Sequence, residues 1–307
     1  MTALLADIGG THTRCAISAA GRITQQREYL NADWSGVEPL LRHYLDRLPE
    51  RPRRALLAVA APLQDDHVDM INIDWQFSRR ALREALGLQA LDVLNDFEAL
   101  AYALPVLNDG QLLQIGPGHP RAGATKAVIG PGTGLGVGVL APLGDDWQAL
   151  ASEGGHVTLP ACNDAEADLI RRARDELGHC SAERLVSGPG LSLLHQLLHG
   201  GPRLPAERLG DLIEAGDAAA RSSLETLFLF LGTVASDLAL TVGAWGGIYI
   251  GGGIVPRYRE LFAASGFRAR FIDKGRYQRL LENTPTWLIV AHNPALLGLH
   301  QRAARRD

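Results

Sequence analysis

The chain has 307 residues, 46% of them apolar and 21% charged, enough for about two domains with cores of their own and outside the ranges of collagen, coiled coils and disordered chains. Its formal net charge is −4, and a mildly acidic chain lacks the basic footprint that a nucleic-acid partner requires. Only Lys126 and Lys274 among the 30 basic residues are lysine, a bias more consistent with codon usage than with function.

In chain order, Leu4-Leu5-Ala6-Asp7-Ile8 reads as a short buried strand. It runs into Gly9-Gly10-Thr11 and leaves through Arg14-Cys15-Ala16-Ile17-Ser18, which predicts a hairpin with a glycine-rich turn. Arg54–Ala60 and Leu91–Leu94 are further short strands, and Ser78–Leu86 and Glu98–Leu104 are helical. The hairpin device returns at Lys126–Ile129, Gly130-Pro131-Gly132-Thr133-Gly134 and Leu135–Leu140, half a chain later, which suggests a duplicated architecture. Helical periodicity follows at Ala165–Leu177, Gly190–Leu198 and Ala218–Thr241. Gly247–Ile250 is a strand that ends in Gly251-Gly252-Gly253, and Pro294–Arg305 is a helix with proline in its first turn. Alternating strands and helices indicate an α/β protein with mixed sheets. No linker separates the halves; the pattern places a small α/β domain at 1–104 plus 294–307 and a large one at 105–293. Cys15, Cys162 and Cys180 form no CxxC or CxC pair, which fits a reducing compartment and supplies no zinc cassette. The N-terminus has no basic segment before its apolar run, so it is not expected to be a signal peptide. Leu238–Val255 carries no charge over 18 residues, but its six glycines favour a helix end, a turn and a strand over a membrane span.

Glycine turns let backbone N–H groups converge on an anion, and Thr11, Thr13 and Thr133 add hydroxyls. A Walker A loop is excluded because neither lysine follows GxxxxG, and the dinucleotide fingerprint fails from Gly130, Gly132 and Gly134 in every register. One such turn alone is ordinarily a tight hairpin; three, each after an apolar strand, favour a nucleotide. Gly132 is the position where a positive φ is expected. Asn95-Asp96 follows a strand directly, where Asp96 is either a helix N-cap or a general base lining a ligand crevice. Glu153-Gly154-Gly155-His156 can present a carboxylate and an imidazole to one ligand, although a lone histidine is more often structural. Glu183 follows Ser181 as a first-turn helix charge or as a ligand.

The ordered set LADIGGTHTR, LNDFEALAYALP, IGPGTGLGVG, SEGGHV, SAERLVSGPG, GGIYIGGGIVPR and FIDKGR resembles the bacterial glucokinase family from residue 4 to about 298. The resemblance implies a two-domain actin-like (ribonuclease H-like) ATPase fold of hexokinase type, with an interdomain cleft. It implies ATP:glucose 6-phosphotransferase activity at the entry to glycolysis, dependence on ATP and Mg²⁺, a cytoplasmic location and a homodimer, with no nucleic acid or membrane as partner. By motif, Ala6, Asp7, Ile8, Gly9, Gly10 and Thr11 match the first phosphate loop. Gly132, Thr133 and Gly134 match the second, and Gly251, Gly252 and Gly253 the adenosine turn. Asn95, Asp96, Glu153, His156 and Glu183 match the sugar ligands, with Asp96 as base; Asp7 would reach Mg²⁺ through water. With no lysine in the loops, Mg²⁺ and N–H dipoles are expected to be the main neutralising charges. The chain departs from relatives at His12, where asparagine is frequent. It differs from the repressor/open-reading-frame/kinase sugar kinases in having no cysteine-rich zinc loop after His156 and no helix-turn-helix before Asp7. A kinase for another hexose, a sugar sensor and an actin-like ATPase are the alternatives.

Overall fold

The computed structural model describes residues 2–63, 65–71 and 73–305. The chain divides into two compact units, Met1–Leu107 with Trp147–Ala151 and Ala291–Asp307, and Asn108–Asp146 with Ser152–Val290.

The first unit is built on β1 (Ala3–Ile8), β2 (His12–Ala19), β3 (Arg22–Leu30), β4 (Arg54–Val59) and β5 (Ala90–Asn95), in the order β3-β2-β1-β4-β5. β1, β2 and β3 pair antiparallel, and β4 and β5 extend the sheet in parallel with β1. Both faces are covered, which is why β1 and β4 are apolar without a polar alternation. Leu4, Ala6 and Ile8 enter a core with Leu40, Leu41, Leu57 and Trp75. On the other face helices Asp96–Ala103 and Pro294–Ala304 pack together and against the sheet, with Leu5, Leu56, Leu296 and Leu299 buried. Gly298 lies so close to the Ala99 carbonyl that no Cβ could be placed there. His300 Nδ1 also pairs with Ser18 Oγ at 2.8 Å, both side chains being buried.

The second unit repeats the device. β6 (Leu112–Gln114), β7 (Lys126–Pro131), β8 (Leu135–Leu143), β9 (Ile248–Ile250) and β10 (Thr286–Ile289) lie in the order β8-β7-β9-β10-β6. β7 and β8 are the antiparallel hairpin, and β9 and β10 run parallel to β7. Its core joins Ile129, Val137 and Ile250 to Phe228, Phe262, Phe267 and Phe271. Helix Ala218–Val242 is long and apolar enough to cross a membrane, yet 56% of its most apolar window is inside this core. The charge-free stretch after Leu238 breaks at Gly243, a left-handed cap with φ 63°, before β9 begins.

Candidate active site

In the first unit, Ile8, Val59 and Asn95 are register partners across β1, β4 and β5. Three parallel strands therefore end level, and the Gly9–Thr11 turn and Asn95-Asp96 leave from that same end, where open α/β sheets bind ligands. The turn closes through Gly9 N–H donating to His12 O at 3.0 Å. Asp7 and Arg14 are opposite one another in the hairpin register, and Arg14 and Glu28 in the next pair. The row is ionic: Arg14 lies 3.5 Å from Asp7 and 2.8 Å from Glu28. Burial pushes the Asp7 carboxyl above its ordinary range, and the Arg14 guanidinium pulls it part of the way back. Arg14 thus sets a guanidinium beside the turn, flanked by the carboxylates of Asp7 and Glu28.

Asn95 is the N-cap of helix Asp96–Ala103: its Oδ1 accepts from Phe97 N–H at 2.9 Å and from Glu98 N–H at 3.4 Å. Asp96 is the first helical residue, and its Oδ1 accepts from Phe97 N–H at 3.0 Å. Capping falls to Asn95, and Asp96 stands at the N-terminus of the helix as its first residue.

In the second unit, the turns after β7 and β9 lie against each other. Gly251 N–H donates to Ile129 O at 2.9 Å. A Cβ on Gly130 would fall 2.5 Å from the Gly251 carbonyl carbon, and Gly252, with φ +78°, leaves no room for one against Pro131. The positive φ expected at Gly132 is found at Gly252 instead: Gly132 is outside the left-handed region, and its nearest neighbour to an added Cβ is Gly253 N at 3.9 Å. The reason is topological, because two parallel strand ends approach most closely at Gly130 and Gly252, and Gly132 lies farther out on the turn. Gly132 and Thr133, with Gly253, border a cavity of about 660 Å³ whose other walls include Pro189, Leu204, Pro205 and Ile254.

Glu153, His156 and Glu183 come together in this unit. Gly154–His156 is a single 3₁₀ turn, and the histidine ring stands 3.9 Å from Glu153 on one side and 3.9 Å from Glu183 on the other. The convergence is built by backbone: Ala182 N–H donates to Val157 O at 2.8 Å and Leu159 N–H to Cys180 O at 3.2 Å. These bonds hold the segment after His156 against the segment that leads into Glu183. Ser181 occupies the N-cap of the short helix Ala182–Leu185 without a side-chain cap bond. The Glu183 carboxylate turns away from its own helix and accepts Leu135 N–H at 2.9 Å, lying against Gly134. One carboxylate therefore links the acid–imidazole cluster to the glycine turn.

The sequence matches the Glucokinase family over residues 4–306. The chain belongs to the glucokinase family. A glucokinase of Nitrobacter hamburgensis is 43% identical over 309 residues, 97% of each chain. A bifunctional protein glk of Burkholderia thailandensis is 46% identical over 96% of this chain and 47% of its own length, so the chain spans about half the length of such relatives. Among solved structures, a glucokinase from an Antarctic psychrotroph superimposes with a TM-score of 0.88 at 35% identity, over 98% of both chains. A ROK hexokinase from Thermus thermophilus shares the fold at a TM-score of 0.68 and 21% identity. The architecture is the two-domain, actin-like α/β fold of these kinases.

Of the residues singled out in the sequence, Ala6, Asp7, Ile8, Gly9, Gly10, Thr11, Asn95 and Asp96 belong to the first unit. Gly132, Thr133, Gly134, Glu153, His156, Glu183, Gly251, Gly252 and Gly253 belong to the second. Sequence reading missed Arg14 as a charge at the first turn and the Leu204-Pro205 wall of the cavity. The first is legible only through hairpin register, and the second carries no motif. Among the described residues no group of three His, Cys, Asp or Glu is arranged to hold a metal ion.

Proposed function

We propose that this chain is an ATP-dependent glucokinase, transferring the γ-phosphoryl group of ATP to the 6-hydroxyl of glucose in the cytoplasm, at the entry to glycolysis. The observation that carries the reading is the Glu153–His156–Glu183 cluster bonded into the glycine turn at Leu135: acceptors suited to sugar hydroxyls are attached to a turn suited to phosphates. Asp96 accepts the proton of the 6-hydroxyl as its oxygen bonds to the γ-phosphorus. The bond from that phosphorus to the bridging oxygen breaks, and ADP leaves with the electron pair. Asn95, Glu153, His156 and Glu183 bond the sugar, and charge-assisted acceptors of this kind penalise analogues that lack a hydroxyl. The N–H groups of Gly10 and Thr11, and those of Thr133 and Gly134, hold phosphates, and Gly251–Gly253 border the nucleoside.

The residues present fit Mg²⁺. That ion keeps several waters and takes few protein ligands in phosphoryl-transfer sites, and Asp7 supplies one carboxylate at the first turn. Bound there with ATP, it would neutralise charge on the β- and γ-phosphates. The homodimer rests on the family resemblance, and sedimentation reads it directly.

The deciding experiment is ADP release with ATP and Mg²⁺, with and without glucose, together with identification of glucose 6-phosphate as product. Glucose-independent ADP release, or equal turnover of other hexoses, removes the proposal.

A further inference from the structure

Asn31 is 1% exposed and lies just after the edge strand β3, outside every motif in the sequence. Its side-chain amide and backbone N–H engage the first glycine hairpin, while its carbonyl accepts from Trp34 N–H at 3.0 Å. Its Nδ2 donates to Gly9 O at 2.8 Å, its backbone N–H donates to Thr11 O at 2.8 Å, and its Oδ1 accepts from Thr13 Oγ1 at 2.8 Å. The carbonyls at both ends of the turn are thereby drawn to one side. Gly9 N–H is consumed by His12 O. Among the described residues, the N–H groups of Gly10 and Thr11 donate to no protein acceptor, and both residues are accessible. A peptide whose carbonyl is held on one side presents its N–H on the other, and successive N–H groups aimed alike form an anion-binding concavity. A buried amide in an apolar setting is costly unless its bonds are made; this one makes two, and the backbone N–H adds a third, all to the same hairpin and its turn.

We propose that Asn31 is the positioning residue of the phosphate turn: by holding Gly9 O it turns the N–H of that same peptide, Gly10 N–H, outward, and by holding Thr11 O it fixes the far end of the turn, so that the N–H groups of Gly10 and Thr11 between these two anchors are preset for the nucleotide's phosphates. This rests on the assignment of the Gly9–Thr11 turn to phosphate in the preceding section, and it adds the residue that shapes the turn. Thr13, itself 1% exposed, orients the Asn31 amide by occupying its oxygen, so that Nδ2 and not Oδ1 meets Gly9 O.

The test measures binding by calorimetry, independently of turnover, for three probes: ATP with Mg²⁺, inorganic tripolyphosphate with Mg²⁺, and adenosine. Asn31→Ala should weaken ATP and tripolyphosphate by the same factor, about tenfold or more for the lost pair of bonds. Adenosine and glucose binding should stay within twofold of wild type. Should Asn31→Ala fail to fold, Thr13→Val serves. It is nearly isosteric, removes only the bond that orients the amide, and should weaken both phosphate probes several-fold. Unchanged tripolyphosphate binding in a folded Asn31→Ala or Thr13→Val variant overturns the inference, as does an equal loss across adenosine, glucose and tripolyphosphate. Wild-type protein that binds tripolyphosphate yet does not phosphorylate glucose removes the kinase reading while leaving this comparison intact.

Discussion

Gly134→Ala should damage glucose binding although the residue lies in a nucleotide turn. The backbone at Gly134 is outside the left-handed region, so alanine costs nothing in conformation. The cost is steric and local: the new Cβ would occupy the place of the Glu183 carboxylate, whose Cδ is 3.2 Å from that point. The carboxylate must move, and it then surrenders the bond from Leu135 N–H, now 2.9 Å long. A hydrogen bond to a charged acceptor contributes about 1.5–3 kcal/mol. If that cost falls on sugar binding, glucose KM rises between about tenfold and a hundredfold, at 1.4 kcal/mol per decade. Steady-state kinetics with each substrate varied at saturation of the other, plus calorimetric glucose binding, reads the effect. A rise in ATP KM with glucose KM unchanged refutes the link between the glycine turn and the sugar cluster.

Asp96→Ala should lower kcat by about 10²–10⁴, the usual contribution of a general base, with little change in Tm because the capping bonds belong to Asn95. Asn95→Ala, by contrast, should cost about 1 kcal/mol of stability as a lost N-cap, read by denaturant unfolding, and retention of wild-type stability would show that the cap is dispensable. Asp7 has a folded-state pKa raised above its unfolded value by burial, so its contribution to stability is full at low pH and is lost as pH rises through the folded pKa. Asp7→Asn should therefore raise Tm at neutral pH, with the gain shrinking toward acid, while activity falls; a Tm gain that does not depend on pH contradicts the assignment. Arg268 is a half-buried cation that donates to the carbonyls of Pro117, Leu281, Glu282 and Thr284. Arg268→Met should cost about 2–4 kcal/mol by removing those four bonds, with both KM values unchanged in the protein that remains folded.

The two hairpins could be read from the sequence because buried strands write apolar runs, and glycine turns interrupt them visibly. β3, RITQQREYL, could not, since an edge strand exposed along most of its length carries no hydrophobic period. Helix Val37–Leu45 is disguised by Pro39, which is harmless in a first turn. The short helices between Ile254 and Glu282 each hold too few turns to show a period. For the site, residue types and turns are visible, whereas their wiring is not. The Glu183–Leu135 bond joins positions 48 apart, and Arg14 meets Asp7 only once the hairpin register exists. Nothing local distinguishes Glu183 as a first-turn charge from Glu183 as the anchor of a turn in another element.

The first unit is assembled from residues at both extremes of the numbering. Helix Pro294–Ala304, with Gly298 pressed on Ala99, backs the helix that begins at Asp96. During synthesis the strand carrying Asp7 and the helix that begins at Asp96 emerge early, yet the surface that supports them arrives only after the second unit has been made. Domains complete their cores as units, so the second unit can close first and the earliest-made strands must wait, solvated or chaperoned, for the last helix. Ribosome-stalled chains ending before residue 291 should accordingly protect the second unit from protease while Leu4–Ile8 stays accessible.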